Sequence, residues 1–172
     1  MPVSSSSNKK PVIDLLKQFN CKNIFELGVG YGQFGKLIKN EIKESKIFGI
    51  EIFTKYFSKI PKQCYEHLYN EDMRFFDYKK ICEEIKFDVV LAIDVIEHVE
   101  RFEGELLINK LIDMFPMIII SVPIVDNEQG AFQGNEYEIH RTQWKTNELQ
   151  KMGFILTFND DLIGVFYKIN QT

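Results

Sequence analysis

Ile24-Phe25-Glu26-Leu27-Gly28-Val29-Gly30-Tyr31-Gly32 is an apolar run that ends in an acid and then alternates glycines. Residues 24–27 have the apolarity of a buried strand. The glycines that follow have no Cβ and accept positive φ, so the backbone of this turn can come close to a ligand. Residues 33–42 continue with a helical pattern. A strand, a glycine turn and a helix N-terminus with unpaired N–H groups form a corner suited to a nucleotide. Glu26 narrows the choice, because a carboxylate there does nothing for a pyrophosphate and attracts an ammonium group.

Outward from this corner the chain keeps alternating. Residues 45–51, Ser-Lys-Ile-Phe-Gly-Ile-Glu, read as a short strand. It ends in an acid about twenty residues after the glycine turn, where a carboxylate can accept both hydroxyls of a ribose. Ile52 and Phe53 follow, apolar enough to lie against an adenine. Residues 65–69 are a poorer strand, leading into Asn70-Glu71-Asp72-Met73. Residues 87–94 form a continuous apolar strand, as expected where helices cover both faces. Residues 117–122 form another, ending at Pro123, with an amphipathic helix over 102–115 between them. In the last third a helix is expected over 142–152, begun by a Thr142 cap and ended by Gly153. Residues 154–158 and 162–169 then flank Asn159-Asp160-Asp161, a hairpin signal.

With Glu26 included, the run Glu26-x-Gly28-x-Gly30-x-Gly32 resembles the first motif of class I S-adenosylmethionine (SAM)-dependent methyltransferases. The resemblance implies that Glu26 faces the methionine amino end of the cofactor and that Gly28, Gly30 and Gly32 make room for it. It implies further that Glu51 holds the ribose, that Ile52 lies against the adenine, and that Asp72 with Met73 meets the adenine amino group, Asp77 being the rival acid. Asp94, closing the fourth strand, is counted among the cofactor contacts. The element order over residues 20–170 resembles the sheet of that family. It implies an α/β, Rossmann-like, doubly wound sheet of seven strands in the order 3-2-1-4-5-7-6, the last antiparallel, with helices on both faces.

Composition agrees with an ordinary globular domain. The 172 residues are long enough for one core, and 45% hydrophobic with 27% charged residues fits neither a disordered nor a membrane-embedded chain. No apolar run reaches the roughly eighteen residues that span a bilayer. Residues 1–10 carry four serines and two lysines without an apolar core, so they are expected to form a flexible tail before a single domain over 11–172. Cys21, Cys64 and Cys82 are odd in number and lack a Cys-x-x-Cys spacing, the pattern of reduced thiols in a cytoplasmic protein. A net charge of −4, with lysines interleaved among acids, argues against a nucleic-acid partner. A small-molecule acceptor is expected instead, held by loops at the strand C-termini.

The second constellation is Asp94-Val95-Ile96-Glu97-His98. In a helix or turn begun at Asp94, the residues Asp94, Glu97 and His98 share one face. One reading is a capping box, Asp94 accepting from the Glu97 N–H while Glu97 reaches back. Another is chemical: His98, His140 and Glu97 as catalytic groups, or Asp94, Glu97, His98 and His140 as ligands of a divalent metal. The run is similar to one widespread in small-molecule O- and N-methyltransferases, and also to the metal-binding motif of small-RNA 3′-end 2′-O-methyltransferases. Residues 123–144 are long, polar, punctuated by glycines, and carry Phe132, Tyr137 and Trp144, the composition of a lid over an acceptor pocket. The expected activity is transfer of a methyl group from SAM to a hydroxyl or amine of a small polar acceptor such as a sugar. The alternatives are a metal-assisted RNA methyltransferase and a non-catalytic SAM-binding module. The spacing Gly30-x-Gly32-x-x-Gly35 also fits an NAD-dependent oxidoreductase, against which Glu26 and the short chain speak.

Overall fold

A computed structural model describes residues 5–170. The strands are β1 (Asn23–Leu27), β2 (Lys46–Ile50), β3 (His67–Tyr69), β4 (Val89–Ile93), β5 (Met117–Pro123), β6 (Ile155–Asn159) and β7 (Ile163–Ile169). They form one seven-stranded sheet in the order β3-β2-β1-β4-β5-β7-β6. β1 to β5 pair in parallel, and β7 is antiparallel to both its neighbours. The helices are α1 (Lys9–Gln18), α2 (Gln33–Glu41), α3 (Tyr78–Glu84), α4 (Arg101–Met114) and α5 (Thr146–Lys151). No helix among the described residues is long and apolar enough to cross a membrane.

Alternation along the strands sends successive side chains to two separate cores. Phe25 and Leu27 of β1 pack with residues of α3, α4 and α5, whereas Ile24 packs with α1 and α2. The first core is built around Phe25, whose ring lies 5.3 Å from Phe87, 5.5 Å from Phe76 and 5.9 Å from Phe115. The parallel strands all end at the same edge of the sheet, and the candidate site lies there, on the strand ends, the loops that leave them and the helix starts that follow.

Two expectations are corrected. Residues 5–10 are part of the domain, not of a tail over 1–10: Lys9 and Lys10 open α1, and Asn8 is buried. Residues 1–4 and 171–172 lie outside the described residues. Pro11 stands in the first turn of α1, where a missing N–H costs nothing, and Val12, Ile13, Leu15 and Leu16 bury one face. The last helix begins at Thr146, not at Thr142. The Thr142 hydroxyl donates to the Val99 carbonyl at 2.8 Å, and Trp144 is buried with its Nε1–H on the Ile96 carbonyl at 3.2 Å. These tertiary bonds keep residues 142–145 out of a helix.

Candidate active site

The glycine turn begins where β1 ends. Gly28, Gly30 and Gly32 have φ of +63°, +56° and +72°. At Gly28 a Cβ would also lie 2.3 Å from Cγ2 of Val95, so the chain leaving β4 closes directly onto the turn. Gly28 and Gly30 line a cavity of about 300 Å³. Gly32 does not; its missing side chain makes room for Ile60 and Pro61. Gly35 makes room for Tyr65, whose hydroxyl donates to Glu26 Oε2 at 2.8 Å.

Two carboxylates stand in the cavity wall. Glu26 is 4% exposed, and burial, opposed by the Tyr65 hydrogen bond and reinforced by the Glu51 charge, pushes its pKa up to about 8. Glu51, 6% exposed, accepts the Gly30 N–H on Oε2 and the Phe53 N–H on Oε1, both at 2.8 Å. Burial outweighs those bonds and raises it to about 7. Asn70, which the sequence reading passed over, donates its amide to the carbonyls of Glu51 and Ile52 at 2.8 and 3.0 Å and so braces this wall. Ile52, Asp72 and Met73 line the cavity as well. Asp72 is bound to Arg74 at 2.6 Å; burial raises its pKa, but the Arg74 hydrogen bonds and charge win and hold it below the usual carboxylate range. The rival acid, Asp77, caps α3 by accepting the Lys80 N–H.

Asp94 departs from both expected roles beyond the cavity. Its φ is +51°, which turns the chain so that Ile96–His98 makes a single 3₁₀ turn. Its carboxylate accepts from Ser121, Asn8 and Ser5, so among the described residues it neither caps Glu97 nor joins the histidines. The capping box belongs instead to Glu100 and Glu103, at the start of α4. Asp94 nonetheless lines the cavity, with His98, Val99 and Glu100.

One potential ligand atom each from Glu97, His98 and His140 lies within 4.8 Å of the others, and the imidazole rings are 4.9 Å apart. Asp94 is absent from this group. Glu97 is 2% exposed and its Oε2 has no hydrogen-bond partner; burial, then the Asp94 charge, holds its pKa well above normal. Burial and the neighbouring His140 lower His98 to about 4. The Nδ1 atoms of His98 and His140 face the backbone carbonyls of Ile139 and Asn127, and the His98 ring also interacts with the backbone of Asp94. A buried bare carboxylate oxygen beside two such imidazoles fits a divalent cation chemically. Only His98 borders the cavity; Glu97 and His140 border a smaller cleft behind it, with Asp126, Asn127 and Gln143.

The loop expected to form a lid contributes Asn135, Tyr137, Glu138 and Arg141 to the cavity wall. The Tyr56 hydroxyl, which sequence alone did not single out, donates to Glu138 at 3.0 Å and accepts from the Asn135 amide at 3.0 Å.

No known family's sequence profile matches this chain, and no curated protein resembles it in sequence. Solved structures do resemble its fold. The N-terminal domain of EvdMO1 with SAH bound superposes with a TM-score of 0.71 at 13% identity, over 98% of this chain and 83% of that one. The methyltransferase domain of bacterial CtHen1-C gives 0.65 at 18% identity, over 95% and 97%. A SAM-dependent methyltransferase from Clostridium acetobutylicum gives 0.67 at 9% identity, over 98% and 93%. The fold of this chain is therefore the one used by SAM-dependent methyltransferases.

Proposed function

We propose that this chain is a SAM-dependent methyltransferase acting on a hydroxyl or amine of a small polar acceptor. The observation that carries the reading is the convergence of Glu26, Gly28, Gly30 and Glu51 on one cavity at the C-terminal ends of β1 and β2. The cavity fits SAM in its donor set. Glu26 offers a buried carboxylate to an ammonium group, Glu51 keeps a free lone pair on each oxygen for ribose hydroxyls, and the glycine turn admits backbone contact. A pyrophosphate would meet these carboxylates with repulsion, which speaks against NAD.

When bound, SAM supplies a methyl carbon already activated by its sulfonium. The chain supplies alignment, with Asn135, Tyr137 and Glu138 forming part of the cavity wall. His98 lines the cavity, and burial keeps it neutral near pH 7, so its role would be to orient the acceptor's hydroxyl or amine by a hydrogen bond, with the released proton passing to solvent. Arg74 is paired with Asp72 and Glu103, and Arg141 lies 3.6 Å from Glu100. Glu71, Glu100, Glu103 and Glu138 line the same cavity. This charge distribution favours a neutral or cationic acceptor over a phosphorylated one.

Calorimetry with S-adenosylhomocysteine and NAD, followed by labelled methyl transfer onto a metabolite extract, tests the reading. Binding of the first alone and label in a small metabolite are expected. Failure to bind S-adenosylhomocysteine would sink the assignment, whereas binding without transfer to any fraction would leave a cofactor-binding module. His98→Ala should lower turnover while leaving S-adenosylhomocysteine affinity nearly intact.

A second reading, metal-assisted transfer to a hydroxyl, is favoured by the unpartnered Glu97 Oε2 beside His98 and His140. Those three residues would hold the ion, and it would lower the hydroxyl pKa. Titration with Mn²⁺ or Zn²⁺ should then show binding that His140→Ala removes, and a chelator should abolish transfer.

A further inference from the structure

A buried polar knot joins the residues before α1 to the end of β4. Asn8 occupies the N-cap of α1, a position from which an asparagine ordinarily bonds the N–H groups of its own helix. Here it makes no such cap. Its Nδ2 donates to Asp94 Oδ2 at 2.9 Å and to Ser121 Oγ at 2.9 Å, and the Ser121 hydroxyl donates in turn to Asp94 Oδ1 at 2.7 Å. The Ser5 N–H adds a bond to Oδ2 at 3.0 Å. Asn8 is 0% exposed, and its own Oδ1 has no partner among the described residues. Leaving a buried carbonyl oxygen bare is unfavourable. The buried amide is thus placed by its two N–H donors, which both reach the Asp94–Ser121 pair.

All these donors serve one carboxylate. Asp94 lines the cavity from the segment where Val95 closes onto Gly28. Glu26, the candidate ammonium site, lies in β1 just before Gly28, and Glu51, the candidate ribose site, follows the neighbouring β2. The part of SAM between its ribose and its amino acid is the sulfonium. SAM and its product S-adenosylhomocysteine share everything else; they differ by one methyl group and one positive charge at sulfur.

We propose that Asn8 and Ser121 are positioning residues that hold the Asp94 carboxylate toward the sulfonium, so that the site discriminates the cationic methyl donor from the neutral product. The proposal rests on the methyltransferase reading above. Multiple donors fix the carboxylate in one orientation and oppose the burial that raises its pKa. A cationic sulfonium beside it would favour the charged form further, and Glu26 and Glu51 serve parts common to both ligands.

The test is calorimetric titration of the full chain with SAM and with S-adenosylhomocysteine, which needs no acceptor. Asp94→Asn keeps the shape and removes the charge, and the ratio of SAM to S-adenosylhomocysteine affinity should fall about five- to tenfold. Ser121→Ala and Asn8→Ala should lower the ratio less, in the same direction, and Ser121→Thr, which keeps the hydroxyl, should restore it. Glu51→Ala should weaken both ligands and leave the ratio unchanged. If Asp94→Asn does not fold, Ser121→Ala carries the test, since it removes a single buried hydroxyl. Parallel loss of both affinities in these variants, with the ratio intact, overturns the proposal and reduces the knot to a brace for α1. A wild-type chain that binds neither ligand overturns the methyltransferase reading itself, and this inference with it.

Discussion

Glu51 accepts one backbone N–H on each carboxylate oxygen, from Gly30 and Phe53, and so ties the glycine turn to the end of β2 before any ligand arrives. Glu51→Ala should weaken S-adenosylhomocysteine by about 1–3 kcal/mol, measured by titration, because charge-assisted bonds to the ribose are lost. An unchanged affinity would remove Glu51 from the ribose site. Gly28→Ala meets two obstacles, a φ of +63° and Cγ2 of Val95 at 2.3 Å. It should destabilise the fold by roughly 1–3 kcal/mol in chemical denaturation, as overpacked substitutions do. The placement of Glu26, Glu51, Gly28 and Gly30 at the cavity was legible in the sequence because a strand end followed by a turn leaves few places for a side chain to go, whereas Gly32, expected there too, makes room for Ile60 and Pro61. Tyr65, Asn70 and Tyr56 were not, since each acts on a partner distant in the chain: Tyr65 on Glu26, Asn70 on the Glu51 carbonyl, Tyr56 on Glu138.

The segment between β5 and α5 is anchored along its length, the Arg141 and Thr142 N–H groups both donating to the Glu97 carbonyl. Its second half is pinned to the start of α4 by Thr142 and Trp144, with the Arg101 guanidinium 4.3 Å from the Trp144 ring. Gly104 of α4 belongs to this contact, because a Cβ there would lie 2.8 Å from Trp144. Its middle is joined through Asn135 and Glu138 to Tyr56, in the 3₁₀ turn Thr54–Ser58 that follows β2. Tyr56→Phe removes the hydroxyl common to both bonds. It should speed amide hydrogen exchange over residues 133–139 and lower stability by about 1–3 kcal/mol. Unchanged exchange in that segment would show that the hydroxyl does not hold it. Trp144→Ala empties a fully buried site and should cost about 3–5 kcal/mol, read from a denaturation midpoint. The sequence placed this lid correctly between its elements. It could not show that Thr142 bonds Val99, and so it extended the following helix by a turn.

Across the molecule, buried carboxylates gather where the parallel strands end. Glu26 and Glu51 have folded-state pKa values raised to about 8 and about 7, and burial raises Asp94 and Glu97 as well. An acid raised in the folded state binds its proton more tightly there than in the unfolded chain. The stability it adds is therefore full at pH 4 and lost as pH climbs toward 8. The ligand-free protein should melt at a lower temperature at pH 8 than at pH 5.5, and Glu26→Gln should flatten that slope. A melting temperature that rises over this range would contradict the raised values. SAM should protect more at the higher pH, where the carboxylates are charged for a cationic ligand. What the sequence alone determined is the order of strands and helices, the doubly wound α/β class and the two acids flanking the glycine turn, because hydrophobic period and glycine placement act over a few residues. Tertiary structure decided how the polar groups are shared. Asn8 leaves the supposed tail to hold Asp94, Asp94 leaves the histidines, Asp77 becomes a cap, and Glu97, His98 and His140 converge from two segments. Each of those outcomes depends on which partner a buried polar group can reach, and that follows from packing across the sheet edge, not from spacing along the chain.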